Sequence, residues 1–437
     1  MHVSLVRARY HSVWEPLNLM YLSAYIKKYY TTDRSETLDV SIYDGYFDCD
    51  NYVIKKCSNS DIVGLSGTTP QLDHMLTLAE RIKIGNPKVK IVFGGFGPSL
   101  EPEKCLRSPF VDHVVVGEGE QALLNIVKGA SSRVVNAPPI MNLDSIPFPD
   151  RDAVNLERYI SIAEKEEGRR VTSVLASRGC PFNCTFCVEG EFGTIWGEIQ
   201  LIDQGIMWKS KEKLRVRSPQ RVLEEMHEVK RKYDIEFFKF SDAEINHSRR
   251  FIVGLCKEMV SQRWDTPWGA NFRVDKIDEE ICEWLVKSNC AEAWFGIESG
   301  SPEILRHIKK GISVEMIRKA FATTKKFGIL RRAYCLLGTP PESFETIKQT
   351  EALIDEIDPD TVSFSILAPY PGTSYWKPEF ENIDWSKVDE YSNSIWSSDY
   401  LNNKSLKAEQ ARLMDKYRDK LASIVRKKKD LGVIGGA

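Results

Sequence analysis

Short apolar segments alternate with amphipathic segments along most of this chain, and that alternation restricts the fold more than any other feature. The apolar segments have the length of strands, and the segments between them carry apolar residues at helical spacing. Strands that alternate with helices favour an α/β fold with an open, mostly parallel sheet, which binds ligands beyond the carboxyl ends of its strands. The predicted strands are 2–6, 38–44, 61–66, 89–93, 113–116, 171–176, 236–240, 267–270, 291–296, 331–337 and 361–367.

The alternation is interrupted between residues 129 and 160, where prolines replace periodic apolar positions, as is typical of a linker. From residue 171 it resumes in six longer units, which predict a partial (β/α)6 barrel. A charged helix at 406–429 is expected to pack against this barrel. The predicted units are a doubly wound, Rossmann-like domain at 1–135, a linker at 136–168, the barrel at 169–375 and a helical extension at 376–437.

Three cysteines spaced C-x3-C-x2-C follow the first barrel strand: Cys180, Cys184 and Cys187. Three thiolates can hold a [4Fe-4S] cluster while one iron stays open to a small-molecule ligand. A chance grouping and a structural zinc site are the alternatives. Zinc usually needs a fourth protein ligand, and the first histidine after Cys187 is His227.

With Phe186 before its last cysteine, this motif resembles the signature of the radical S-adenosylmethionine (SAM) superfamily. The resemblance implies that the amine and carboxylate of SAM chelate the open iron. It also implies that reduction of the cluster cleaves SAM to methionine and a 5'-deoxyadenosyl radical.

Polar residues follow the next barrel strands, where SAM would lie. Asp242 and Glu244 project the same way if the chain is extended and could hold an ammonium group, although ordinary solvated acids have the same spacing. The planar fork of Arg273 suits a carboxylate, and an ion pair with Asp275 is the alternative.

The segments after the fourth and fifth strands resemble the family's G-I-E-S and G-x-P-x-E-[ST] motifs. By that resemblance, Glu298 and Ser299 would meet the ribose or methionyl group of SAM, and the turn after Leu337 its adenine. Tyr334 and Cys335, on opposite faces of the fifth strand, could supply a proton or hydrogen atom, although a buried core cysteine is commoner.

Small residues end the strands of the first domain, in Ser66-Gly67-Thr68, Gly94-Gly95-Phe96 and Gly117-Glu118-Gly119. Glycine there permits tight turns or the close approach of a large ligand. Their order resembles the cobalamin-binding domain that precedes the radical SAM domain in one large subfamily. The resemblance implies cobalamin contacts from Ser66, Thr68, Gly94, Gly95, Phe96, Gly117 and Glu118. The D-x-H-x-x-G motif of better-known cobalamin proteins is absent, since His113 directly follows Asp112.

Residues 188–214 form an insertion rich in aromatic and acidic side chains, directly after the cysteines. Long loops inside compact domains are usually functional or disordered. We expect its segment 192–208 to form a lid over the substrate, with a locally packed surface excursion as the alternative.

The balance of 60 basic and 62 acidic residues argues against nucleic-acid and polybasic membrane partners. The sequence has no run of about 18 apolar residues, the length that spans a bilayer. Its first residues also lack the pattern of a signal peptide. The seven other cysteines have no regular spacing, as is typical of thiols in a reducing compartment. We therefore expect a cytoplasmic protein with a small-molecule substrate and, from the resemblance, a reductant such as flavodoxin or ferredoxin.

The resemblance implies a cobalamin-dependent enzyme that methylates an unactivated carbon through the 5'-deoxyadenosyl radical, with a [4Fe-4S] cluster, SAM and cobalamin as cofactors. A dehydration, cyclisation or rearrangement on the same architecture, with or without cobalamin, is the first alternative. A non-catalytic iron–sulfur sensor or scaffold would need only the three cysteines.

Overall fold

A computed structural model describes residues 1–30, 37–189, 214–391 and 393–420. Within these ranges the first part of the chain folds around one parallel six-stranded sheet, in the order β2-β1-β3-β4-β5-β6. Its strands are β1 (His2–Arg7), β2 (Asp39–Asp44), β3 (Ile62–Ser66), β4 (Lys90–Gly94), β5 (His113–Gly117) and β6 (Val134–Ala137). The helices are α1 (Leu17–Tyr29), α2 (Asp50–Cys57), α3 (Leu72–Gly85), α4 (Phe96–Leu100), α5 (Pro102–Leu106) and α6 (Gly119–Val127).

The second part of the chain forms a curved, parallel six-stranded sheet in the order β14-β13-β12-β11-β10-β7, which is the predicted partial barrel. Its strands are β7 (Val171–Val174), β10 (Phe237–Phe240), β11 (Trp268–Phe272), β12 (Cys290–Glu298), β13 (Leu330–Leu337) and β14 (Thr361–Ile366). A two-stranded antiparallel ribbon, β8 (Ser177–Arg178) with β9 (Arg215–Val216), stands beside the cysteine loop. The helices of this part are α7 (Leu156–Glu167), α8 (Pro219–Tyr233), α9 (Arg249–Ser261), α10 (Glu279–Lys287), α11 (Pro302–His307), α12 (Val314–Lys326), α13 (Phe344–Ile357) and α14 (Asn403–Lys416).

Local sequence explains where the barrel helices begin. Ser218 caps α8 by accepting a hydrogen bond from the Arg221 amide, and Pro219 occupies the first helical position, where its missing N–H costs nothing. Ser343 and Thr346 form a reciprocal capping box at the start of α13. The ends of the preceding strands are therefore fixed, and so are the loops that carry the site.

The expectation that residues 129–160 form a linker without regular elements is wrong. β6 extends to Ala137 as the edge strand of the first sheet, and α7 occupies Leu156–Glu167. Leu156, Tyr159 and Ile160 are buried at helical spacing, so α7 has an apolar face that the neighbouring prolines obscured. The division of the chain into domains remains a prediction.

The main core, which is that of the barrel, also includes residues of the first half, whose sheet has two further buried clusters of its own. Met20 and Tyr21 of α1 and Leu143 of the connecting segment belong to the same buried cluster as the barrel residues. The tail packs on the barrel as predicted, since Gln410 donates to the Phe364 carbonyl (2.8 Å) and the Tyr417 hydroxyl donates to Asp355 (2.7 Å). In the described residues α14 ends at Lys416, and the predicted continuation beyond residue 420 lies outside them.

No helix in the described ranges is long and apolar enough to span a bilayer.

Candidate active site

Two cavities lie where the carboxyl ends of the two sheets face each other. The sheet cavity, about 640 Å³, is bounded by Ser66, Gly94 and Gly117 of the first sheet and reaches Ser177 and Asp242 of the barrel. The barrel cavity, about 560 Å³, lies over the ends of β13 and β14 and is closed by the loop after β3. Both volumes are in the range of cofactor and substrate sites.

The cysteine loop lies between the two cavities. Cys180 and Cys184 are buried, and Cys187 is half-buried. Cys187 borders both cavities. Burial raises the pKa of the Cys180 and Cys184 thiols, so binding of iron would have to displace their protons.

The barrel holds this loop in place through Thr185. Its amide donates to the Ile308 carbonyl (3.0 Å), its carbonyl accepts from the Ser374 amide (3.0 Å), and its hydroxyl bonds to that of Tyr375 (2.8 Å). In the described part of the chain, no three His, Cys, Asp or Glu side chains converge as the ligands of a single metal ion do. The cysteines of a [4Fe-4S] cluster each bind a different iron and need not converge.

Glu244 lies beside the cluster loop with an unused acceptor. The Cys180 thiol donates to its Oε2 (3.5 Å), while its buried Oε1 has no hydrogen-bond partner. Burial raises the pKa of this carboxyl. A buried carboxylate oxygen without a partner is costly, and the ammonium group of SAM would satisfy it. Glu244 therefore fits the predicted role.

Asp242 does not share that orientation, because the chain bends at residues 242–243. Its carboxylate accepts from the amide of Ala176 (3.0 Å) and from the hydroxyl of Ser177, just before the cysteine loop. Burial raises the pKa of Asp242 to about 6. Its contacts in the structure hold the start of the loop.

Arg273 forms the ion pair with Asp275 that was the alternative to binding the SAM carboxylate. Its Nε donates to Asp275 (2.9 Å), its Nη2 donates to the Lys310 carbonyl (3.0 Å), and the guanidinium lies 3.6 Å from the centre of the Phe182 ring. These contacts link the cluster loop to the turn after α11.

Glu298 and Phe186 border the barrel cavity. Glu298, at a left-handed φ of 60°, accepts from the ammonium of Lys310 (2.8 Å), which lies 5.9 Å from the centre of the Phe186 ring. Burial alone would lower the pKa of Lys310, but Glu298 and Cys184 raise it. Lys310 is not among the site residues predicted from the sequence, because its role depends on the tertiary contact with Glu298.

Ser299 and Leu337 border neither cavity. The Ser299 hydroxyl bonds to Thr350 (3.0 Å) and accepts from the Ser301 amide (3.1 Å), and Leu337 is buried in the main core. Tyr334 and Cys335 both border the barrel cavity. Cys335 belongs to the main core, and burial raises the pKa of its thiol well above the usual range.

Six of the seven residues predicted to contact cobalamin line the sheet cavity: Ser66, Gly94, Gly95, Phe96, Gly117 and Glu118. Thr68 lines the barrel cavity instead. A Cβ atom built on Gly94 would come no closer than 4.0 Å to any neighbour, the nearest being Val115 Cβ. The missing side chain leaves room for a large planar ligand, so this cavity fits a corrinoid.

No described residue that lines the sheet cavity is a histidine. His113 lies at the opposite end of β5, where its ring bonds to the Ser132 carbonyl (2.7 Å). A corrinoid in this cavity would be held without a histidine from the described residues on cobalt.

Ion pairs that the sequence did not reveal connect the β8–β9 ribbon to Glu118 and Glu120, after β5, at this cavity. Arg178 donates to Glu120 (2.6 Å) and lies 3.5 Å from Glu118, which also pairs with Arg215 (2.6 Å). The Glu118 carboxylate further accepts from the Ile140 amide (2.7 Å). The predicted lid at 192–208 lies outside the described residues, which include only Val188 and Glu189 at the start of the insertion.

Comparisons with known proteins agree with this geometry. Residues 3–127 match the model of the B12 binding domain, and residues 174–354 match that of the radical SAM superfamily. The uncharacterized methyltransferase PH0819 of Pyrococcus horikoshii is 31% identical over 402 residues, which cover 85% of this chain and 81% of that protein. The anaerobic magnesium-protoporphyrin IX monomethyl ester cyclase of Rubrivivax gelatinosus is 26% identical over 434 residues, covering 90% of this chain and 72% of the cyclase.

Among solved structures, the radical SAM methyltransferase TsrM of Kitasatospora setae, with cobalamin and a [4Fe-4S] cluster bound, aligns with a TM-score of 0.66. The alignment covers 86% of this chain and 76% of that chain at 18% identity. At this identity the likeness is one of fold.

Proposed function

The chain belongs to the radical SAM superfamily, with a B12-binding domain before the radical SAM domain, and from this membership we propose that it methylates an unactivated carbon of a small-molecule substrate. The cofactors are a [4Fe-4S] cluster, SAM and cobalamin. Bound together, these groups supply the one-electron cleavage of SAM, for removal of a hydrogen atom, and a transferable methyl group.

One observation carries the proposal. The sheet cavity and the barrel cavity share Phe96, Cys187 and Glu189 as a common wall. A substrate in the barrel cavity would therefore lie directly beside a corrinoid in the sheet cavity and beside the cluster loop. Such adjacency is what methyl transfer to a carbon radical requires.

The residues that would hold each group follow from their positions. Cys180, Cys184 and Cys187 would bind the cluster. Glu244, with its unpartnered oxygen, would accept a hydrogen bond from the amine of SAM, and the Glu298–Lys310 pair would border the nucleoside. The glycine ends of β4 and β5 would accommodate the corrinoid.

A low-potential electron donor such as flavodoxin or ferredoxin completes the proposal, because the cluster has to be reduced before SAM is cleaved. The near balance of charge supports a small-molecule substrate over a nucleic acid.

A cyclisation or related rearrangement is the second candidate, since a relative of nearly equal coverage is named as a cyclase. The position of the SAM methyl group separates the two reactions. In a methyltransferase it leaves SAM, whereas a reaction that uses SAM only as a radical source leaves it on methionine.

The test uses trideuteromethyl-SAM with the reconstituted holoenzyme, a chemical reductant and cobalamin under anaerobic conditions. We expect both S-adenosylhomocysteine and 5'-deoxyadenosine, with the label in the corrinoid fraction. Formation of 5'-deoxyadenosine with all the label on methionine would favour the second candidate. Absence of both nucleosides would favour a non-catalytic iron–sulfur protein.

A further inference from the structure

The barrel cavity has mostly apolar and aromatic walls. The side chains of Leu100, Leu336 and Ile366 form part of it. The aromatic residues that border it are Tyr10, Trp14, Phe96, Phe186, Tyr334 and Tyr370. A cavity of this size and composition suits a ligand with a hydrocarbon or aromatic body.

The basic side chain that lines the cavity already donates hydrogen bonds to groups of the protein. Among the described lining residues, Arg7 is the only lysine or arginine. Its Nε donates to Asp44 (2.8 Å), and its two other nitrogens donate to the carbonyls of Trp14 and Ser12. It therefore has little capacity left to bind a phosphate or carboxylate of a ligand.

The cavity also carries the carboxylates of Glu189, Glu298 and Glu390. Glu298 is neutralised by Lys310 (2.8 Å). Glu390 has no ion pair within the described ranges, and its Oε2 accepts from the Tyr370 hydroxyl (3.0 Å). The described walls thus combine an apolar surface with the carboxylate of Glu390, which has no ion pair in the described ranges.

The backbone of Glu390 is hydrogen-bonded to the barrel, although Glu390 lies in the tail. Its carbonyl accepts from the Ile366 amide at the end of β14 (2.8 Å). The adjacent Asp389 pairs with His11 (3.4 Å) and accepts from the Tyr391 amide (2.7 Å). The tail therefore runs along the open edge of the barrel and fixes the carboxylate at the cavity, between Tyr10 and Tyr370.

We propose that the barrel cavity takes a substrate with an apolar body and a protonated nitrogen, and that Glu390 binds this nitrogen. The proposal rests on the proposed function, because it identifies the barrel cavity as the substrate site. A cation is matched both by the carboxylate and by the electron-rich faces of the surrounding aromatic rings. An anionic substrate would be repelled by the Glu390 carboxylate. It would also find Arg7 already hydrogen-bonded to Asp44 and to the carbonyls of Trp14 and Ser12.

The experiment compares three ligands of one shape and different charge: naphthylmethylamine, naphthylmethanol and naphthoate. Dissociation constants are measured by ligand-observed NMR with the holoenzyme at neutral pH, where cobalamin fills the sheet cavity. We expect the amine to bind about tenfold more tightly than the alcohol, as for a partly buried, charge-assisted hydrogen bond, and the naphthoate to bind most weakly.

E390Q keeps the shape of the side chain and should bring the amine to the level of the alcohol. E379Q, at an exposed carboxylate of the same tail, should retain the preference. Equal or tighter binding of naphthoate by the wild type, or an unchanged preference in E390Q, would overturn the proposal. These binding measurements do not depend on methyl transfer, so failure of this proposal can be told apart from failure of the proposed function.

Discussion

Glu225 is the centre of a buried ion network that joins the two halves of the molecule. It accepts from Arg151 (3.0 Å) and from Arg217 (2.7 Å), and its side chain is 1% exposed. Arg151 also pairs with Glu15 of the first half (3.1 Å). In E225Q the shape is preserved, but Arg217 would lose its ion pair with Glu225 and Arg151 would keep only the one with Glu15.

Removing one partner from a buried ion network typically costs about 3–5 kcal/mol, because the remaining charge stays desolvated. With a urea m-value of about 3 kcal/mol per molar, a loss of 3 kcal/mol lowers the unfolding midpoint by about 1 M. The assay is the urea unfolding of the apo-protein, followed by tryptophan fluorescence.

The control is E224Q on the same helix. Glu224 is 61% exposed and pairs with Arg221 at 3.1 Å, so its loss should change stability by less than about 0.5 kcal/mol. If E225Q and E224Q shift the midpoint equally, the buried network does not support the contact between the two halves, and the reasoning is refuted.

Three further changes test the site and the fold. Replacing any of the three loop cysteines by alanine should abolish the cluster absorption of reconstituted protein, whereas the buried core position Cys256, changed to alanine, should keep it. Gly94→Leu should block cobalamin uptake by filling the sheet cavity, while SAM binding persists. The control is Gly254→Ala in α9, where a Cβ atom would lie 4.0 Å from Pro219 Cγ; this variant should bind cobalamin normally. Burial raises the pKa of Glu342 from 4.5 to about 7, so its protonated form stabilises the fold below pH 4.5 and that contribution, about 3 kcal/mol at most, is lost as the pH rises through 7. E342Q should flatten this part of the stability–pH curve measured by urea unfolding, while the exposed neighbour E345Q should leave it unchanged.

The sequence predicted best those elements whose apolar residues form a continuous run or a regular spacing along the chain. Strands such as Val114-Val115-Val116 are buried on both faces and appear as continuous apolar runs. Helix α7 was missed because its apolar face is short and follows a proline-rich segment. The short helices α4 and α5 lie in a glycine- and proline-rich stretch that also favours turns.

The residues of the candidate site also differ in how well the sequence predicted them. The cysteines and the strand-end glycines were visible because their spacing is local. The Glu298–Lys310 pair and the Glu390 carboxylate were not, since their roles depend on tertiary contacts between distant parts of the chain. A bend at residues 242–243 separates Asp242 from Glu244, and a spacing argument that assumes extended backbone cannot anticipate it.

The ion pairs at Arg178 show how the two cavities keep their relative position. Arg178 precedes Cys180 by two residues, and its partners Glu118 and Glu120 belong to the glycine-rich turn that lines the sheet cavity. Its guanidinium also lies 5.3 Å from the centre of the Tyr21 ring, in the helix that shares the barrel core. Because Arg178 belongs to the segment that leads into the cysteine loop and pairs with Glu118 and Glu120, it links this loop to the residues that follow β5. These ion pairs therefore contribute to the alignment of the two cavities, together with the contacts that Ile140 and Arg151 of the connecting segment make.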